Sequence, residues 1–438
     1  MREVDFDLPQ SLEPRLQGRY QHLVREHLHS SRALAPGAGR LPGAASALAS
    51  TQAAWRFYGN ARVPLPGLME PILAHARRAV EQDCQQYGLV ADDWSCLAYK
   101  AHAGKTDRVR LKNKKHRGYE LQTSLLLSDQ DGHPIAPLAQ ELRAQAGLYT
   151  TRSQRVRPPA KHLDGLTQRM AHLAGLALPR PLVHIIDREA DSVGHYRQWQ
   201  RRGRRFVVRA KGRQRVEWQG QSRLLAEVAA QLQDQGAFAY ARPVEYQGRP
   251  AQQYVAETRV VITRPARPKR HGRSTTVPGP AVSLRLVVSQ VRSPEGQLLA
   301  TWLLLSNVEP SVSAQVLALW YYWRWRVESF FKLLKGAGHQ VESWQQRSGP
   351  ALARRLLVAS MACVVVWQVA RDPSPQAEQS RRLLVRLSGR QMKRGRSWTA
   401  PALLEGLWVL LAMVDLLKHE DLGAVQSLLG SLKRVFKT

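Results

Sequence analysis

Two short apolar runs that close on carboxylates constrain the fold of this chain most. GLVADDWSCLAY covers Gly88 to Tyr99, and PLVHIIDREADSVGHY covers Pro181 to Tyr196. Short apolar runs of this kind, bounded by polar residues, suit buried strands better than helices. The first reads as a strand ending near Asp93, with Asp92 as an adjacent competitor; a solvated turn aspartate is the alternative there. In the second, Leu182 to Ile186 forms the strand and Asp187 stands at its C-terminal tip. Arg188 to Asp191 then lead into a helix, where Asp191 reads as a charge favoured by the helix dipole. The strand RFVVRAK, Arg205 to Lys211, follows.

A third acidic position lies far downstream, in YYWRWRVESFFKLLKGAG from Tyr321 to Gly338. On a helix turning about 100° per residue, Tyr321, Arg324, Glu328 and Lys335 fall within an arc of roughly 60°. Trp320, Trp323, Val327, Phe330, Phe331 and Leu334 make a continuous apolar face beside that stripe, and Gly336 and Gly338 supply a stop. The same residues also fit an amphipathic helix whose Glu and Arg pair in solvent.

The chain has 438 residues, enough for two or three domains with a sizeable core. Its 65 Lys and Arg against 34 Asp and Glu give a formal charge of +31. Spread along the sequence, this excess suits a protein that lies along a polyanion, though charge alone does not specify an enzyme. Cys84, Cys96 and Cys363 offer neither a disulfide framework nor a zinc spacing, which points to a reducing cytoplasm. No signal-peptide pattern opens the chain, and the longest apolar run, Leu356 to Ala370, is shorter than the ~20 residues of a membrane span. It reads as a buried helix of a soluble, cytoplasmic protein with no membrane partner.

The remaining stretches fill in around these three. Leu23 to Val90 suggests short helices, with a turn-rich connector from Arg32 to Ser50. Arg32, Arg40, Arg56 and Arg62 are candidate phosphate contacts, while Trp55 and Phe57 fit bundle packing. Lys100 to Glu120 is dense in cations and reads as a mobile basic loop. Tyr119 to Leu142 reads as a hairpin turning at Asp131-Gly132, and a helix is expected from Pro159 to Leu176. Residues 212–300 read as a β-rich insertion that holds a Pro- and Arg-rich loop from Arg264 to Pro280. Ala300 to Asn307 returns the chain to the core. A long apolar helix over 350–371, a linker from Arg371 to Ser380 and two or three amphipathic helices complete the chain.

The spacing Y-x2-R-x3-E-x6-K at Tyr321, Arg324, Glu328 and Lys335 resembles the Y-R-E-K signature of bacterial insertion-sequence transposases of the DDE class. The string D-R-E-A-D from Asp187 is similar to the region of that family's second catalytic aspartate. D-x3-L-x-Y at Asp93, Leu97 and Tyr99 resembles the surroundings of the first. The resemblance spans most of residues 50–345.

The resemblance implies an α/β fold: a ribonuclease-H-like catalytic core with a β-rich insertion, flanked by helical N- and C-terminal regions. The expected layout is a DNA-end-binding domain over 1–80, a catalytic core over 81–345 and a helical region over 346–438 with a dimer contact. Asp93, Asp187 and Glu328 would be the catalytic, metal-binding trio, holding two Mg²⁺ or Mn²⁺ ions. Tyr321, Arg324, Lys335, Arg209 and Arg56 would meet DNA, and Trp302 would stack on a flipped base; a core tryptophan is the alternative for Trp302.

The function implied is cleavage of double-stranded DNA at transposon inverted-repeat ends and strand transfer into target DNA. It would run through a hairpin intermediate, in a homodimer associated with the nucleoid. Two other readings stay open: a DNA-binding protein that has lost catalysis, and a metal-dependent nuclease without strand transfer.

Overall fold

The structure, a computed structural model, describes residues 7–9, 12–29, 47–100, 102–112, 116–270, 273–393, 395–419, 421 and 423. Arg32, Arg40 and most of the expected 32–50 connector lie outside the described residues, as do parts of the two basic loops and the last expected helix.

Three helices come first: α1 (Pro14–His29), α2 (Ala47–Gly59) and α3 (Leu65–Asp83). The sheet then opens with β1 (Gly88–Ala98), the two-residue β2 (Val109–Arg110), β3 (Arg117–Ser128), β4 (Pro134–Ala144) and β5 (Gly147–Thr150). The β3–β4 turn depends on Gly132, whose φ is +66°; a Cβ there would run into the Trp323 ring at 2.3 Å. After α4 (His162–Ala174), the chain forms β6 (Leu182–Ile186), α5 (Val193–Arg201) and β7 (Arg205–Arg209).

These strands order as β4-β3-β1-β6-β7, with β1, β6 and β7 parallel and β3 and β4 antiparallel to their neighbours. This is the ribonuclease-H arrangement, with helices on both faces of the sheet.

The segment between β7 and the return strand β15 (Leu298–Ser306) does not leave the sheet. It contributes β8 (Arg215–Trp218), β9 (Gln221–Leu224), α6 (Leu225–Asp234), β10 (Ala239–Tyr246), β11 (Arg249–Ile262) and β14 (Val282–Arg292). Between β11 and β14 lies a small hairpin of β12 (Lys269–Arg270) and β13 (Arg273–Ser274). β15 pairs with β7, and β14, β11, β8 and β9 follow in turn, so the insertion extends the catalytic sheet.

Two apolar cores lie against this sheet. One joins Ile186, Phe206 and Val208 to α4, α5 and α6 through Leu166, Tyr196, Trp199 and Val228. The larger joins Leu89, Ala91 and Ile185 to α1, α2 and α3, to α7 (Ala314–Trp323), α8 (Trp325–Leu334) and α9 (Gly349–Arg371). At roughly 25 cal/mol per Å² of apolar surface removed from water, such cores are the main stabilising term. α9 is long and apolar enough to cross a membrane, but 89% of its most apolar window is buried in the protein.

Two expectations change. The 100–120 segment is anchored in part, although Lys100, Arg110, Lys112 and Arg117 are exposed: Lys105 is buried, with Nζ donating to the carbonyls of Trp344 (2.7 Å) and Gln346. Asp107 accepts from Tyr119 Oη and, at 2.6 Å, from the Gly349 backbone N–H. The expected 371–380 linker shrinks to three residues, because Ser374 caps α10 (Pro375–Ser388) by accepting from Ala377 N at 3.2 Å. α10 then packs against α11 (Ala400–His419). Asp191, directly before the Ser192 that opens α5, also accepts from Tyr196 Oη at 3.1 Å and from the Lys211 backbone N–H at 2.9 Å, tying α5 to the end of β7.

Candidate active site

Strand register brings two of the carboxylates together. β1 and β6 run parallel with Asp92 opposite Ile186, so the next residues on each, Asp93 and Asp187, fall side by side where β6 ends. Asp93 is not at a strand tip as expected. β1 continues to Ala98 because β3 pairs with it along its whole length.

Adjacent residues on a strand point to opposite faces, which separates Asp92 from Asp93. Asp92 is buried, accepting from Ser124 Oγ and pairing with His184 Nδ1 at 2.7 Å. Asp93 lies on the α8 face, where Arg324 Nη1 reaches its Oδ2 at 2.9 Å.

The third carboxylate arrives on a broken helix. The segment read as one helix from Tyr321 divides at Arg324, whose N–H bonds the Tyr321 carbonyl three residues back, at 3.1 Å. The apolar face survives the break, since Trp320, Trp323, Val327, Phe330, Phe331 and Leu334 are all buried. Before the break, Tyr321 Oη donates to Asp187 Oδ1 at 3.1 Å. After it, Glu328 Oε1 accepts from Arg324 Nη2 at 3.0 Å. One guanidinium thus bridges Asp93 and Glu328, while Arg209 Nη1 stands 3.7 Å from Asp187.

The pKa directions register this crowding. Burial pushes the Asp93 carboxyl up and Asp187 adds to it, against the pull of Arg324. Burial likewise raises Glu328, with Asp93 adding and Arg324 opposing. Burial also acts upward on Asp187. There the Arg188 backbone N–H, Arg324, the Tyr321 hydroxyl and Arg209 together outweigh it and hold the carboxyl below its usual range.

Several residues sit differently from the expectation that they face DNA. Arg324 is 5% exposed, with both Nη atoms on carboxylates and a buried Nε that has no partner among the described residues. Lys335 caps the end of α8, outside the single stripe; its Nζ donates to the Cys96 carbonyl at 2.6 Å and lies 3.8 Å from Glu342. Trp302 is 5% exposed and its ring centroid lies 5.6 Å from that of Tyr321. It is a wall of the core. Arg56 is exposed on α2, in the helical layer away from the strands that carry the carboxylates.

Sequence reasoning missed two features. Trp325, next to Arg324, is 48% exposed, with the guanidinium carbon 5.4 Å from its ring centroid. Arg188, Arg209, Lys211 and Arg213 line a cavity of about 510 Å³ beginning beside Asp187. Lys211 and Arg213 also line a second, of about 460 Å³, with Arg215, Arg264 and Arg267. A signal for this track was present: RAKGRQR from Arg209 to Arg215 places a cation at every second residue.

The donor chemistry of Asp93, Asp187 and Glu328 fits a hard divalent cation, because all three offer oxygen only. Their present arrangement does not. Among the described residues, no three His, Cys, Asp or Glu side chains form a group that could hold a metal ion. Arg324 lies between Asp93 and Glu328 instead.

Residues 160–365 match the family described as a transposase DDE domain. The DDE match covers somewhat less than half of the chain; it includes Asp187 and Glu328 and begins after Asp93. No curated protein matches the chain. Among solved structures, a piggyBac transposase synaptic complex with hairpin DNA, determined by cryo-EM, is similar at 10% identity with a TM-score of 0.35. That alignment covers 81% of this chain and 60% of the other, so this chain matches well under the full length of that protein.

Proposed function

We propose that this chain is a DDE transposase that cleaves DNA at the ends of a mobile element and joins the freed ends to target DNA. The observation that carries the reading is that Asp93 and Asp187 sit side by side on β1 and β6, with Glu328 joined to Asp93 through Arg324, beside a cation-lined cavity. Two of those three residues fall within the segment that matches the DDE domain. The Y-R-E-K spacing supports placing it among insertion-sequence enzymes of the hairpin-forming kind.

Asp93, Asp187 and Glu328 would hold Mg²⁺ or Mn²⁺. Such an ion would supply charge stabilisation for the attacking and departing oxygens of an in-line phosphoryl displacement. The chain's own groups do the rest. Arg188, Arg209, Lys211 and Arg213 draw a phosphodiester backbone along the cavity toward Asp187, at a cost in affinity as salt rises. Tyr321 keeps Asp187 oriented through its hydroxyl, and the buried Trp302 fixes Tyr321 in turn. Lys335 anchors the end of α8 to β1 and so sets the height of Glu328. Trp325 offers the exposed ring against which a base displaced during hairpin formation can stack. Arg56, exposed on α2, would meet end DNA in the N-terminal helical region, and two copies acting together would hold two ends.

The test is incubation of the chain with DNA carrying the element's inverted-repeat end. Mg²⁺-dependent nicking followed by joining is the expected result. Nicking without joining makes the chain a nuclease, and binding without nicking makes it a silent DNA-binding protein.

A further inference from the structure

We infer that Arg324 plugs the metal centre and that a DNA phosphate withdraws it, so that ion binding and DNA binding require each other. The inference rests on the transposase reading of the site and concerns its regulation.

The geometry sets up a competition. Arg324 Nη1 and Nη2 lie 2.9 and 3.0 Å from Asp93 Oδ2 and Glu328 Oε1. A Mg²⁺ ion instead demands ligand oxygens at about 2.0–2.1 Å around a compact centre. The guanidinium is a wide, planar cation whose two outer nitrogens face different carboxylates, so those carboxylates cannot also close on one small ion. The two occupants exclude each other.

Displacing Arg324 needs an anion to receive it. Burying a guanidinium after its carboxylates are taken by an ion would leave an uncompensated charge, at a cost of several kcal/mol. A DNA phosphodiester offers the alternative, because guanidinium groups bind phosphate oxygens bidentately. The cation-lined cavity beside Asp187 would bring that phosphate to the site. The buried Nε, without a partner among the described residues, is a further donor that a phosphate could satisfy. Arg324 also stands at the joint between α7 and α8, where the helix is already interrupted. Each ligand then favours the other by the same factor, as linkage requires. The chain would thus hold no loaded ion until DNA is in place.

The experiment is a Mn²⁺ titration of the full chain, read by the loss of the free-ion electron paramagnetic resonance signal. It is run with and without a short mixed-sequence duplex at low salt, with binding to duplex alone subtracted. Wild type is expected to bind Mn²⁺ weakly by itself and about tenfold or more tighter with DNA, a usual size for such coupling. Arg324→Ala is expected to bind Mn²⁺ tightly without DNA and to gain little from it. Arg324→Lys, a cation without the fork, should fall between.

Equal Mn²⁺ affinity with and without DNA in wild type, lost in Glu328→Ala, overturns the plug and leaves the metal centre standing. No specific Mn²⁺ binding in any form, DNA included, overturns the centre itself. The wild-type comparison needs no variant to fold.

Discussion

The two faces of β1 carry neighbouring aspartates with opposite fates. Behind the strand, Asp92 is closed in: it is 2% exposed, with Ser124 and His184 on its oxygens and Arg169 beyond Ser124 at 3.3 Å. In front, Asp93, Asp187 and Glu328 remain half-buried and press on one another, with a single guanidinium between two of them. A buried carboxylate whose oxygens are both partnered holds a fold together, whereas an under-neutralised cluster can be completed by a ligand. The same contrast separates Trp302, sealed against Tyr321, from Trp325 in solvent.

The open cluster gives the largest expected effect. Glu328→Ala should lower DNA cleavage on the order of 10³-fold or more, as for a group needed in the transition state. Its Tm should stay near that of wild type, because burial already disfavours the charge on Glu328 and Arg324 keeps Asp93 as a partner; a large fall in Tm would erase the distinction between the faces. The closed cluster should respond the other way. Asp92→Ala strands buried His184 and Ser124 without their acceptor and should cost about 3 kcal/mol in denaturant unfolding. Cleavage per folded molecule should be unchanged. Trp302→Ala, emptying a packed ring site, should destabilise by about 3 kcal/mol or more, while Trp325→Ala should leave unfolding unaltered and reduce hairpin yield.

A fourth prediction uses a second buried group. Burial, with Arg355 nearby, pushes the His339 imidazole down to about 3, and His27 is lowered by the same causes with His339 adding. The folded state therefore binds fewer protons than the unfolded one once pH drops below the ordinary histidine value near 6.5. Stability is complete above that value and is lost as pH falls toward about 3. His339→Phe should flatten the slope of unfolding free energy between those limits; an unchanged slope would assign acid sensitivity elsewhere. The smallest effect belongs to the open cation track. Arg213→Ala and Arg267→Ala should each reduce the log–log salt dependence of DNA binding by about one. Tm should not move.

What the sequence disclosed followed from local pattern. The runs ending at Asp93 and Asp187 gave the core strands, and the 3.6-residue rhythm gave the buried face from Trp320 to Leu334. What it concealed came from tertiary contacts. The helical rhythm runs unbroken through Arg324, so the joint there, and with it the displacement of Lys335 from the stripe, had no local sign. Nothing in ATWLLLSN told that Tyr321 would lie over Trp302. The cations of the 100–120 stretch suggested solvent, yet Lys105 finds two backbone carbonyls beneath the surface. Ser374-Pro375, read as a break, instead starts α10.

The shared sheet has a mechanical consequence. β15 pairs Leu304 with Arg209 on β7 and hands its other edge to β14. The insertion that bears Arg264 and Arg267 is therefore bolted, rung by rung, to the strand bearing Arg209. On the transposase reading, a bend in DNA held at the outer strands would tilt the carboxylate row, so the added strands would act as a lever arm as well as a landing surface.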